Sequence, residues 1–163
     1  MLSEKSSPVP YLFGDLLALS RLSWIRQMEA RLQARGFSGY RRSDAMTMRL
    51  LARGPLAVGQ LGERLGVTRQ AARKLIDALE QSGYVRVERD LQDTRKLNAT
   101  LTELGARYAE AVIETVHELN HELSQRVNPG QLAAADAVLR AAIAGDDELL
   151  AAARRVPGPS GSG

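Results

Sequence analysis

Apolar residues recur along this chain with two different periods, and the switch between them predicts its architecture. Residues 1–10 show no apolar stripe and carry Pro8 and Pro10, which oppose a helix and predict a flexible N-terminal arm. From about Tyr11 to Arg35 the pattern is helical, with Leu12, Leu16 and Leu19 on one stripe and Leu17, Trp24 and Met28 on another. A helix apolar on two stripes is expected to meet two surfaces, its own domain and a partner subunit. Gly36 is its natural stop. Ser43 is placed to cap a second helix reaching about Arg53, with Met46, Leu50 and Leu51 inward, before Gly54-Pro55 breaks it. A short helix over Val58–Leu65 then buries Val58, Leu61 and Leu65. Gly66 makes a turn, and Thr68 caps a helix to about Gln81 whose apolar positions are Ala72, Leu75, Ile76 and Leu79.

After Gly83 the period drops from 3.6 to 2. Val85 and Val87 alternate with Arg86 and Glu88, and Leu97, Ala99 and Leu101 alternate with Asn98 and Thr100. This predicts a hairpin with a polar tip longer than a two-residue turn. Thr102 caps a long helix from about Glu103 to Val127, whose seam of Tyr108, Val112, Val116, Leu119, Leu123 and Val127 has coiled-coil-like spacing. Asn128-Pro129 starts another helix carrying Leu132, Ala135, Leu139, Ala142 and Ile143, and 146–156 suits a last short one. The tail PGPSGSG over 157–163 is disordered by composition. The expected fold is mainly α with a small β-hairpin wing. A winged helix-turn-helix over 43–102 is embedded between helical dimerisation regions at 11–36 and 103–156.

Composition narrows the function. With 163 residues, 44% hydrophobic and 25% charged, the chain has the make-up of an ordinary globular protein. It has no cysteine, which removes disulfide scaffolds, thiolate metal sites and thiol redox sensing. Aromatics at 4% are too few for a base-stacking platform. No stretch approaches the roughly 20 apolar residues of a membrane span, and the apolar run from Tyr11 lacks the flanks of a signal peptide. A cytoplasmic protein with no membrane partner is expected. Net charge is only +3, so a polyanion partner has to be argued from where the charges lie.

They lie on one helix end. With the apolar stripe of the Thr68–Gln81 helix turned inward, Arg69, Gln70, Arg73 and Lys74 face out within its first two turns, and the acids Asp77 and Glu80 follow. Positive charge at a helix N-terminus is slightly unfavourable to the helix, so its placement there makes sense if a polyanion supplies the negative charge. Arginine also offers a planar fork for guanine O6/N7, and glutamine a two-point pair with adenine. The helix before it has the size of the supporting helix in a helix-turn-helix, whose second helix enters the major groove. At the hairpin tip, Asp93 beside Arg95 is suited to hold a projecting arginine in place; the stability of one exposed ion pair, about 0–1 kcal/mol, is a weak reason for it. Arg95 and the neighbouring Lys96 would then reach the adjacent minor groove.

The pieces LGERLGVTRQAARKLIDALEQSGYV and DTRKLNATLTELG together resemble the MarR family of winged-helix transcriptional regulators. The most specific part is Asp93-Thr94-Arg95 followed by Leu101-Thr102 and Gly105, similar to the family's wing signature, and the likeness covers about a third of the chain. The resemblance implies a homodimer held by N- and C-terminal helices, with paired recognition helices and wings on a pseudo-palindrome of double-stranded DNA. It implies base-reading roles for Arg69, Gln70 and Arg73, backbone contacts for Thr68 and Lys74, a wing arginine at Arg95 and its positioning carboxylate at Asp93. Two features depart from it. Gly62 stands where an alanine-like residue is usual, costing about 0.5–1 kcal/mol of helix preference. Arg41 and Arg42 make the entry to the second helix unusually basic, suited to phosphate or to a ligand site.

His117-Glu118-Leu119-Asn120-His121 fits the His-Glu-x-x-His pattern of zinc proteases, yet these are the chain's only histidines and a third ligand would have to be a carboxylate. Neither an enzyme nor a cofactor is expected. The function expected is a sequence-specific, dimeric DNA-binding regulator, more often a repressor in this family. A small-molecule effector would release DNA by preferring another dimer geometry. Trp24 and Tyr40 are candidates to line the effector pocket. The rival readings are a metal-responsive regulator using His117 and His121, and a winged helix used for protein–protein contact.

Overall fold

The computed structural model describes residues 12–89 and 96–153. The predicted flexible arm, the wing tip and the C-terminal tail lie outside the described residues. Helix α1 spans Phe13–Ala34 and α2 spans Arg42–Leu51. The second begins from Arg41 with no side-chain cap, so Ser43 does not cap it. Ser43 lies inside the first turn, where its hydroxyl bonds Asp44 Oδ1 at 3.1 Å and its carbonyl accepts from the buried Thr47 hydroxyl at 2.8 Å. The acid Asp44 in that first turn suits the positive end of the helix instead.

Strand β1, only Leu56–Ala57, leads straight into α3 at Val58–Leu65. Gly66 at φ +68 is the left-handed turn residue that lets the chain reverse into α4 at Arg69–Gln81. Thr68 caps α4 as expected, its Oγ1 accepting from the Ala71 N–H at 3.1 Å. Gly62 is explained here. A methyl on it would lie 3.2 Å from the Val67 carbonyl oxygen and 3.3 Å from Ala72 Cβ, so a side chain would crowd the join of α3 and α4. The lost helix preference is the cost of that close approach.

Strands β2, Val85–Arg89, and β3, Leu97–Leu101, pair antiparallel with Val87 opposite Ala99, and β1 adds to the far side of β3 through Leu56 opposite Ala99. The sheet thus has three strands in the order β1-β3-β2, one more than the hairpin expected from the alternating pattern. A two-residue strand is too short to show a period.

Helix α5, Glu103–Ser124, is capped by Thr102, whose hydroxyl accepts from the Gly105 N–H at 3.0 Å and donates to the Gly83 carbonyl at 2.6 Å. One side chain thereby ties the start of α5 to the turn before the wing. Gly105 sits so close to Tyr84 that any Cβ would collide with the Tyr84 backbone carbonyl. Asn128 caps α6, Pro129–Ala142, and α7 follows at Asp147–Ala153.

The expected dimer seam on α5 is divided. Tyr108, Val112 and Leu119 are buried within this one chain, in a core with Met28 and Leu32 of α1 and Met48 and Leu51 of α2. Toward the end of α5, Leu123 is exposed. The first half of the seam therefore joins the helical region to the reading head rather than one subunit to another. Charge ties α1 to α5 within the helical region. On α1, Arg31 bonds Glu122 at 2.8 Å and Glu118 at 3.4 Å, and Arg35 bonds Glu118 at 2.6 Å. Hydrogen bonding to Glu122 holds the Arg31 guanidinium above its ordinary pKa, against the desolvation that opposes it. By contrast, Leu12 at the N-cap and Phe13, Leu16, Leu17, Leu19 and Leu22 in the first half of α1 are exposed, and α6 buries no residue at all.

Candidate nucleic-acid interface

Helix α4 is held by Ala72, Ile76 and Leu79, all buried, with Leu75 half-buried beside them. The inward stripe is as the periodicity predicts, and it turns Arg69, Gln70 and Lys74 to solvent, with Arg73 half-buried. Arg69 and Arg73 share a cleft of about 510 Å³ with Lys96, where β3 begins. The other walls come from Gln60 and Glu63 on α3, from Asn98 on β3, and from the apolar Val58 and Leu97. The α4 cations and the base of the wing, about twenty residues apart in sequence, therefore meet in one groove.

Thr68, Gln70 and Lys74 lie along the same helix end without lining that cleft. Asp93 and Arg95 lie outside the described residues. Gln60, Glu63 and Asn98 were not singled out from the sequence. Asn98 is legible afterwards as an outward position of the alternating strand, whereas Gln60 and Glu63 carry no signal beyond being polar. Gln60 has a local task as well, its Oε1 accepting from the Ala57 N–H at 3.3 Å.

The electrostatics favour an anion here. Residues 38–96 hold twelve Arg and Lys against seven Asp and Glu, whereas residues 103–153 hold three against nine. A net charge of +3 thus conceals a polarised molecule, basic over the reading head and acidic over the helices behind it.

Behind the head, Tyr108 stacks with Phe37 at 5.1 Å and with Tyr84 at 4.9 Å between ring centroids. Burial pushes the Tyr108 phenol far above its ordinary pKa, and nearby Asp44, Tyr84 and Tyr40 push the same way. The same burial raises Tyr40, against the opposing pull of Arg42 and Arg49, and raises Asp44 against the Ser43 hydrogen bond and Arg41. Trp24 on α1 and Tyr40 before α2 are both half-buried against the core, and neither lines the cleft. His117 and His121 are exposed on α5, and among the described residues no three His, Cys, Asp or Glu are grouped to hold a metal ion. Among those residues no helix is long and apolar enough to cross a membrane.

Three helices and a three-stranded wing arranged in this way make a winged helix-turn-helix. Residues 38–96, which run from before α2 through the helix-turn-helix and β2 to the start of β3, match the model of the MarR family. No curated protein matches the chain. Among solved structures, the DNA complex of S. aureus MepR is similar at TM-score 0.69 and 19% identity, covering 82% of this chain and 98% of that one. A probable transcriptional regulator from Pseudomonas aeruginosa matches at TM-score 0.65 and 16% identity, over 81% of this chain and 97% of that one. The PcaV transcriptional regulator of Streptomyces coelicolor, solved with its natural ligand, matches at TM-score 0.65 and 21% identity, over 86% and 99%. At these identities the likeness establishes a shared fold, and it extends to the flanking helices that the family model does not reach.

Proposed function

We propose that this chain is a homodimeric, sequence-specific regulator of transcription. It acts as a repressor on a pseudo-palindromic double-stranded DNA operator, and a small-molecule effector modulates its affinity. The observation that carries the reading is the cleft where Arg69 and Arg73 of α4 meet Lys96 at the base of the wing, on a head rich in positive charge. A recognition helix in the major groove would present Arg69, Gln70 and Arg73 to base edges and Thr68 and Lys74 to the backbone. Arg95, held by Asp93, would enter the adjacent minor groove.

The dimer reading is supported by the uncovered apolar face of α1 and by α6, which has no buried residue. Large apolar side chains recover about 1.5–3 kcal/mol each on full burial, so five on one half-helix, with Leu12 at its cap, favour a covering surface strongly. A second copy covers them symmetrically and sets the spacing of two recognition helices near one DNA turn, roughly 34–36 Å. The effector reading draws on the ligand-bound PcaV relative of the fold and places Trp24 and Tyr40 near the pocket. Such a protein works in the cytoplasm, without catalysis and without a cofactor.

Selection of duplexes from random DNA, followed by affinity measurements against salt, tests this. The expected result is a palindrome bound by a dimer, with affinity falling steeply as salt rises. Arg95→Ala should weaken operator binding and leave the dimer intact. A protein that stays monomeric at micromolar concentration, or binds duplex DNA without salt dependence, would refute the proposal.

A further inference from the structure

One residue near the end of α4 holds the wing twice. The Glu80 carbonyl accepts from the Gly83 N–H at 2.9 Å, at the turn where Gly83 takes φ +75 and the chain leaves the helix. Further on, the Glu80 side chain accepts through Oε1 from the Val87 N–H of β2 at 3.1 Å. Strand β2 is an edge of the sheet, in the order β1-β3-β2, and this bond supplies an acceptor from outside the ladder. Helix stability is a poor reason for the acid. Glu80 stands in the last turn of α4, where negative charge is slightly unfavourable to the helix. A carboxylate at that position makes sense as an acceptor for the strand.

We infer that Glu80 is a positioning residue for DNA binding: its bond to Val87 sets the tilt of the wing against α4, and with it the place of Lys96 beside the α4 cations. This deepens the DNA-binding reading above and rests on it. Buried Val85 anchors the start of β2, and an attachment two residues further on fixes the direction of the strand beyond it. The path from that bond to the cleft is short. Val87 pairs with Ala99 of β3, and the residues just before Ala99, from Lys96 to Asn98, line the cleft with Arg69 and Arg73. Glu80 itself lies about 16 Å along the helix from Arg69, at 1.5 Å per residue. A change of tilt therefore moves Lys96 against Arg69 and Arg73 and leaves α4 as it is. Contacts held on one frame engage DNA together, whereas a wing that must be ordered on binding loses affinity.

Amide hydrogen exchange of the free protein and affinity for the selected operator test this in Glu80→Ala and Glu80→Gln. Glu80 is exposed, so its replacement leaves the core intact. Glu80→Ala should speed exchange at the Val87 amide about fivefold and weaken operator binding by a similar factor. Glu80→Gln keeps an oxygen acceptor without the charge and should retain most of both. Combined with Lys96→Ala, the Glu80→Ala loss of affinity should shrink to about twofold, because part of what it positions has gone. Combined with Lys74→Ala, a change on α4 itself, the loss should keep its full size. The inference is overturned by an unchanged Val87 exchange rate, by Glu80→Gln binding as weakly as Glu80→Ala, or by an equal loss beside Lys96→Ala and Lys74→Ala. If the unaltered protein selects no sequence, the DNA-binding reading falls and the inference with it. If it selects one and Glu80→Ala binds it equally well, only the inference falls.

Discussion

Replacing Gly105 by alanine sets helix preference against a steric limit at the join of the wing and α5. Alanine is favoured over glycine within a helix by about 0.8–1.0 kcal/mol, so propensity alone makes the variant more stable. The structure reverses the sign. A methyl on residue 105 would lie 2.8 Å from the Tyr84 carbonyl carbon and nearer still to its oxygen. These are backbone atoms and cannot rotate aside, so the first turn of α5 must move away. Three interactions cross that gap. They are the Thr102 N–H bond to the Tyr84 carbonyl at 3.1 Å, the Thr102 hydroxyl bond to the Gly83 carbonyl at 2.6 Å, and the Tyr84–Tyr108 ring contact at 4.9 Å. Each is worth about 0.5–1.5 kcal/mol. Set against the gain in helix preference, their loss leaves a net destabilisation of about 2 kcal/mol. Urea unfolding followed by far-ultraviolet circular dichroism, at one fixed protein concentration for both proteins, measures it. A variant as stable as the parent, or more stable by about 1 kcal/mol, would refute the steric argument and leave propensity in command.

Asp44→Asn tests the half-buried acid in the first turn of α2. Burial raises the Asp44 pKa, so the folded state holds that proton more tightly than the unfolded state. The resulting stability is present below the ordinary carboxylate value near 4 and is lost as pH rises through the raised one. The neutral variant should therefore melt higher than the parent at neutral pH, with the gap closing near pH 3; a gap independent of pH would refute the assignment. Arg31→Gln removes the link from α1 to Glu118 and Glu122, and its melting temperature should fall in low salt and approach the parent's in high salt, because exposed charges are screened. A salt-independent loss would mean packing, not charge, holds those helices together. On DNA, Arg73→Ala should relax base preference, while Lys74→Ala should weaken all duplexes evenly and flatten the salt slope by about one; a shared phenotype would erase the distinction drawn between them.

The local stops and caps were the most legible features. Thr68, Thr102 and Asn128 cap where their side chains suggest, and α3 runs over Val58–Leu65 as its pattern implies. Ser43 misled because a capping residue type is common inside first turns too, where its hydroxyl finds a neighbour instead. The MarR-like wing signature was legible as a motif, although Asp93 and Arg95 fall outside the described residues. Gln60 and Asn98 became part of the candidate site only through the folded cleft. Asp77 was visible as an outward acid four residues after Arg73, but its bond to Nε is a matter of rotamers.

Periodicity and capping are short-range properties, set by 3.6 residues per turn, by two per strand repeat and by the few side chains that satisfy helix ends. For that reason the sequence alone determined the helices, the β2–β3 hairpin of the wing and the outward basic end of α4, though not the short strand β1. It could not tell which half of an apolar stripe meets its own chain and which is left open, because that depends on residues far away along the chain. Folding decided that Tyr108, Val112 and Leu119 belong to the internal core while the first half of α1 stays uncovered. It also decided that Arg73, paired with Asp77, enters a groove with Lys96.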